Sequence, residues 1–122
     1  MDMPGLHLTR IGKDEFLLEP SRSLNIRDPD RLLECIAGRL LDARAVRLYY
    51  DLSGQAIIDQ VYYTWLNKLA RIVSTINVRM ICIHMRPIAA FALVQFAIER
   101  PVFETALDIS GWQNSQSHAA EN

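Results

Sequence analysis

The chain has 122 residues, half of them hydrophobic, with 13 Lys plus Arg against 14 Asp plus Glu and a formal net charge of −1. That length suits one domain with one core, and the balanced charge offers no basic excess for phosphates, which disfavours nucleic acid as a partner. No run approaches the roughly 20 apolar residues of a membrane helix, and Met1-Asp2-Met3-Pro4-Gly5 lacks the cationic and apolar regions of a secretory leader, so a cytoplasmic protein with no membrane partner is expected.

Leu6, Leu8 and Ile11 alternate with His7 and Thr9, which predicts a first strand. Gly12-Lys13-Asp14 is turn chemistry, and Glu15 to Glu19 closes a hairpin with that strand. Asp28-Pro29-Asp30 marks a helix start: Asp28 as an N-cap that accepts from a free N–H, Pro29 at N1, and Asp30 at the positive end of the dipole. Leu32, Leu33, Ile36, Ala37, Leu40 and Leu41 form its apolar face, and it should end near Ala43. Residues 46–51 read as a central, buried strand in which Val46, Leu48 and Tyr50 alternate with Arg47 and Tyr49. Ser53-Gly54 is a turn. Asp59 then precedes a helix over about 60–75, whose predicted buried stripe is Val61, Trp65, Leu69, Ile72 and Ile76.

Val78 to His84 is nearly all apolar, as in a parallel strand covered on both faces. Pro87 is placed to open a third helix with a small-residue face of Ala89, Ala90, Leu93, Val94 and Ala97. The last strand lies within 102–109, and the polar segment 110–122 reads as a mobile tail without helical periodicity. The sequence therefore predicts an α/β domain over 1–109, of order β-β-α-β-α-β-α-β, with a mixed, mostly parallel sheet of about five strands packed against helices. The loop after the central strand lies at the carboxyl edge of such a sheet, where open α/β folds place their sites.

Asp51-Leu52-Ser53-Gly54 followed by Ile57-Ile58-Asp59 resembles the STAS domain of anti-sigma-factor antagonists. Met85-Arg86-Pro87-Ile88-Ala89 resembles a turn of the family's stressosome branch, and Glu104-Thr105-Ala106-Leu107-Asp108 resembles the last strand of that branch's small scaffold subunit. These motifs stand in family order over roughly residues 6–109. The resemblance implies a regulatory interaction module whose partners are other STAS-domain proteins (a second copy or sensor subunits), a serine/threonine switch kinase or an anti-sigma factor, and implies a homo- or hetero-oligomer. It places the partner surface on Ser53, Gly54, Asp59, Gln60, Tyr62, Tyr63 and Arg86. Family members carry a phosphorylatable Ser or Thr directly after the Asp of the first motif; here Gln60 stands there. At the second regulatory position of the sensor subunits stands Ala92. Neither residue has a hydroxyl, while Ser53 and Thr64 are hydroxyls nearby.

Other chemistry has less support in the residues. Cys82, His84 and His7 lack the spacing of a zinc site, and His118 stands alone in the tail, so no metal is expected. Cys35 and Cys82 read as free thiols. No Gly-x-Gly-x-x-Gly phosphate loop occurs, and no cofactor is expected. Asp51 and Asp59 could be imagined as acid and base, with Ser53 as nucleophile, but helix capping and loop bracing explain them better, so no catalytic residue is assigned. The alternative to a docking module is a small-ligand sensor that holds a nucleotide or lipid in an apolar pocket lined by Trp65, Phe91 and Phe96.

Overall fold

The computed structural model describes residues 5–96 and 100–121, leaving the side chains of Phe96 and of 116–121 undescribed. The elements are β1 (Leu6–Arg10), β2 (Glu15–Pro20), α1 (Pro29–Asp42), β3 (Arg47–Asp51), α2 (Gln60–Ser74), β4 (Arg79–Ile83), α3 (Pro87–Phe96), β5 (Glu104–Ala106) and α4 (Ile109–Glu121). The five strands form one sheet in the order β1-β2-β3-β4-β5, with β1 antiparallel to β2 and the remaining pairs parallel. Gly5 feeds β1 with φ +86, and a Cβ there would lie 2.5 Å from the Leu24 backbone, so only glycine fits.

Each crossover from β2 to β5 advances one strand in the same direction. Right-handed connections therefore set α1, α2 and α3 on a single face. The main core lies there: Leu33, Ile36 and Leu40 of α1 and Trp65, Leu66 and Leu69 of α2 pack with Leu48, Tyr50 and Cys82 of the sheet. The opposite face carries a second cluster of Tyr49, Ile81, Ile83 and Trp112. Tyr49, on the face away from α1 and α2, is thus fully buried. Its hydroxyl donates to Glu15 Oε2 at 2.7 Å, and the same oxygen accepts from Arg47 Nε at 3.0 Å. Val46, read as the first residue of this buried strand, lies just before β3 and is exposed.

The segment 110–122, expected as a mobile tail, is corrected: Ile109–Glu121 is helical and covers the second face. The cause is Trp112, a single large anchor in a polar segment. It is buried, and the Arg79 guanidinium stacks over its ring at 4.9 Å. Arg79 also bonds Glu104 through two nitrogens, at 3.0 and 2.7 Å, tying β4 to β5 under the helix. One aromatic among Ser, Gln and Asn gives too little periodicity to be read as a helix.

Other expectations shift by local geometry. Asp28 precedes α1, but its side chain makes no cap bond. Leu41 at the end of α1 is exposed. In α2 the buried stripe is Tyr63, Trp65, Leu66, Leu69, Ala70 and Val73, whereas Val61 and Ile72 face solvent. Asn67 is also buried, and its Oδ1 accepts from Val102 N at 2.9 Å, which fixes the approach to β5. In α3 Val94 is exposed, opposite to the expected small-residue face. Ala97 falls outside the described residues.

Candidate functional site

β3 and β4 run parallel, with Asp51 beside Ile83, so their carboxyl-end loops lie side by side. The β3–α2 loop is braced from within. Asp51 Oδ1 accepts from Ser53 N at 2.9 Å, and Gln55 N donates to Leu52 O at 2.9 Å. Leu52 and Ile58 are fully buried and pin the loop's two ends, which leaves 53–57 between them at the surface. Asp59 has extended backbone and accepts from Tyr62 N at 2.8 Å, the N-cap that the sequence predicts.

The β4–α3 loop braces it from the side. His84 Nδ1 lies 3.0 Å from Asp51 Oδ1, and Arg86 Nε donates to Ser53 O at 3.0 Å. His84 has a left-handed backbone, φ 59, which L residues adopt at a cost. Its N–H donates to Leu107 O at 3.1 Å, so the strained residue links three loops. Burial of Asp51 opposes its ionisation. The Ser53 N–H, the Ser53 hydroxyl and His84 together outweigh it and hold the carboxyl below its ordinary range.

The predicted residues divide accordingly. Ser53, Gly54, Asp59, Gln60 and Arg86 are exposed along these two loops and the first turn of α2. A Cβ at Gly54 would meet nothing within 4 Å and its φ is not left-handed, so the fold itself does not require glycine there. Tyr63 is corrected: at 2% exposure it stacks edge-on with Phe103 in the core and cannot face a partner. Tyr62 is half-buried, and its hydroxyl lies 2.6 Å from that of Tyr50, which accepts from Trp65 Nε1 at 3.0 Å. The two adjacent tyrosines therefore serve the interior. Ala92 is half-buried on α3.

At Ser53 the backbone N–H donates to Asp51 Oδ1 at 2.9 Å, and the same oxygen lies 3.0 Å from His84 Nδ1, so Asp51 and His84 brace the loop together. Among the described residues no three His, Cys, Asp or Glu side chains could hold a metal ion. Cys82 is fully buried, and burial pushes its thiol well above the ordinary range. Of the three residues expected to line an apolar pocket, Trp65 is buried and borders the groove between α1 and α2, Phe91 is 68% exposed on α3, and the Phe96 side chain lies outside the described residues. What lies beside Gln60 is an open groove of about 390 Å³ between the start of α1 and α2, with Ile26, Arg27, Val61, Thr64 and Lys68 in its walls. No described helix is long and apolar enough to cross a membrane.

Neither a family model nor a curated protein sequence matches the chain. Solved structures do. A variant of RsbS from Moorella thermoacetica superposes with a TM-score of 0.72 at 14% identity, over 96% of this chain and 98% of that one. A chain from the molecular architecture of the stressosome, described as a signal integration and transduction hub, gives 0.74 at 14% identity, over 95% and 100%. The anti-sigma factor antagonist SpoIIAA in its unphosphorylated form gives 0.58 at 9% identity, over 93% and 97%. The chain therefore has the STAS fold of anti-sigma-factor antagonists, with similarity to the stressosome scaffold across almost its whole length.

Proposed function

We propose that this chain is a non-enzymatic regulatory docking module of cytoplasmic signalling, an anti-sigma-factor antagonist or stressosome scaffold whose phosphorylation switch is absent. The observation that carries the reading is Gln60 at the first turn of α2. It is exposed, directly follows the Asp59 cap, and stands on a loop held by Asp51, His84 and Arg86. A phosphate there would add close to two negative charges at a helix N-terminus. A carboxamide cannot accept one.

The partner surface in this reading is the exposed set Ser53, Gly54, Asp59, Gln60 and Arg86, with the edge of Tyr62. Its partners are STAS-domain proteins, a switch kinase or an anti-sigma factor. Gly54 supports it: with no side chain in open space at the loop, another surface can approach the backbone there closely. The test is incubation with a serine kinase of the switch class and ATP, read by mass spectrometry, beside a binding measurement. The wild-type chain should stay unmodified at 60 and 92, and Gln60→Ser should gain one phosphate. Gln60→Glu should fold normally yet bind its partner more weakly, because it buries an unpaired charge at the contact. Phosphate on wild-type Ser53 or Thr64 with loss of binding would mean that the switch has moved rather than vanished. Unchanged affinity of Gln60→Glu would place the docking surface elsewhere.

A further inference from the structure

One side of the groove beside Gln60 is a stripe of α2: Gln60, Val61, Thr64, Trp65 and Lys68. Their spacing sets them on one face of the helix, over about 12 Å at 1.5 Å per residue. The other side is Ile26, Arg27 and Pro29, at the start of α1. Ile26 packs against the main core, and Asn25 Oδ1 accepts from Arg27 N at 3.1 Å, so the backbone that carries Arg27 is fixed from both sides.

Shape and charge together select the occupant. A small-ligand site buries roughly 70–90% of its ligand, which a groove of about 390 Å³ open to solvent does not do. A flat bilayer does not reach a floor that lies between two helices. Side chains projecting from a peptide segment do. Ile26, Pro29, Val61 and the edge of Trp65 offer them apolar contact. The charged residues of the walls are Arg27 and Lys68, both cations, whereas Asp28 and Asp59, adjacent to wall residues in sequence, are not in the walls. Arg27 is exposed, and among the described residues its guanidinium has no partner. Lys68 reaches Asp30 at 3.5 Å, but with side-chain exposures of 49% and 86% the pair is a weak one that a better acceptor displaces. A purely apolar segment would take two cations out of water with nothing to pair them, and a basic one would repel them. An acidic segment pairs both.

We propose that this groove binds a short segment of a partner protein in which large apolar residues stand beside Asp or Glu. The apolar side chains lie between α1 and α2, and the carboxylates meet Arg27 and Lys68. The inference rests on the docking-module reading, because Gln60 belongs to both surfaces, and it deepens that reading by naming the chemistry of what docks.

A random peptide library displayed on phage and selected against the full chain supplies the probe. Enriched sequences should place Asp or Glu within a few residues of Leu, Ile, Phe or Trp. A fluorescein-labelled synthetic copy of the commonest one is then titrated by anisotropy, up to about 1 mM chain. Arg27→Glu and Lys68→Glu, each with a melt close to wild type because both side chains are exposed, should weaken binding by about tenfold or more. Gln60→Lys should tighten it, and added salt should weaken it. The Arg27→Glu, Lys68→Glu double variant should instead bind the same peptide with every Asp and Glu changed to Lys. The proposal is overturned if no sequence is enriched, if enriched sequences lack acidic residues, or if the two single variants bind like wild type. Phosphatidylglycerol vesicles or ATP bound by wild type and lost in both variants would overturn it in favour of a lipid or nucleotide anion. A concentration-dependent dimer that Lys68→Glu abolishes would overturn it in favour of a second copy. Any of these failures with Gln60-dependent partner binding intact would remove the groove and leave the docking reading standing. Peptide binding that meets every expectation, with no STAS-domain protein, kinase or anti-sigma factor responding to Gln60→Glu, would do the reverse.

Discussion

Trp65→Ala tests the core and the register of α2 together. Trp65 is 2% exposed on the α2 face that meets the sheet, and its Nε1 donates to Tyr50 OH at 3.0 Å. Truncating a buried aromatic to alanine costs about 3–5 kcal/mol, a large share of the roughly 5–15 kcal/mol that holds a domain together. The hydrogen bond is the smaller part. Tyr50 OH keeps Tyr62 as a partner at 2.6 Å, so losing the indole donor removes about 0.5–1.5 kcal/mol. Trp65→Phe, which keeps most of the ring volume, should therefore cost clearly less than Trp65→Ala. At about 4 °C per kcal/mol for a chain of this size, the alanine variant should melt about 12–20 °C below wild type. Circular dichroism melts and urea titrations read both values.

A register control accompanies it. Leu66→Ala should cost about 2–5 kcal/mol, because Leu66 is fully buried. Val61→Ala should fall within about 0.5 kcal/mol, because Val61 is 57% exposed. A wild-type melt for Trp65→Ala, or a larger loss from Val61→Ala than from Leu66→Ala, would refute the placement of α2.

The Tyr50–Tyr62 pair predicts alkaline sensitivity. Burial pushes the Tyr62 hydroxyl up to about 12 and the Tyr50 hydroxyl well above its ordinary value, so the folded state keeps protons that the unfolded chain releases near pH 10. Unfolding is then favoured as pH rises, and urea midpoints should hold up to about pH 10 and fall above it, less steeply in Tyr62→Phe. Trp112→Ala should cost about 1–3 kcal/mol, below the usual aromatic figure, because it also removes a buried indole N–H that has no partner among the described residues. Hydrogen exchange should then rise across 109–121 and leave α1 and α2 protected; uniform protection would mean that α4 is held by something other than Trp112.

The order of strands and helices over 6–109 was legible because each element carries its own period and punctuation. Pro29 and Pro87 open α1 and α3, and Asp59 caps α2, each where local chemistry alone requires it. What was not legible depends on contacts distant in sequence. The cover over Tyr49 is one such contact: α4 returns to pack on that face of the sheet, and α4 is recognisable only through one tryptophan. Tyr63 and Asn67 look like surface residues until Phe103 and Val102 arrive from beyond α3 to cover them. The site divides the same way. The Asp51–Ser53 turn and the Asp59 cap follow from spacing, whereas the Asp51–His84 pair and the Arg86–Ser53 contact join residues 33 apart and need the parallel pairing of β3 with β4.

Those long-range contacts bear on how Gln60 is to be understood. The loop before α2 is fixed by Asp51, His84, Arg86 and Asp59, and none of these bonds uses the Gln60 side chain. Val61 beside it is exposed, and the groove it borders is open to solvent. Substitution at 60 therefore perturbs neither the core nor the loop brace. A glutamate there meets the positive end of α2, which favours it by about 0.3–1 kcal/mol. Folding is thus insensitive to the identity of residue 60 in either direction. A change in docking on Gln60→Glu or Gln60→Ser can then be attributed to the surface itself, and disruption of the loop brace through His84→Ala should alter docking by a separate route, with Gln60 unchanged.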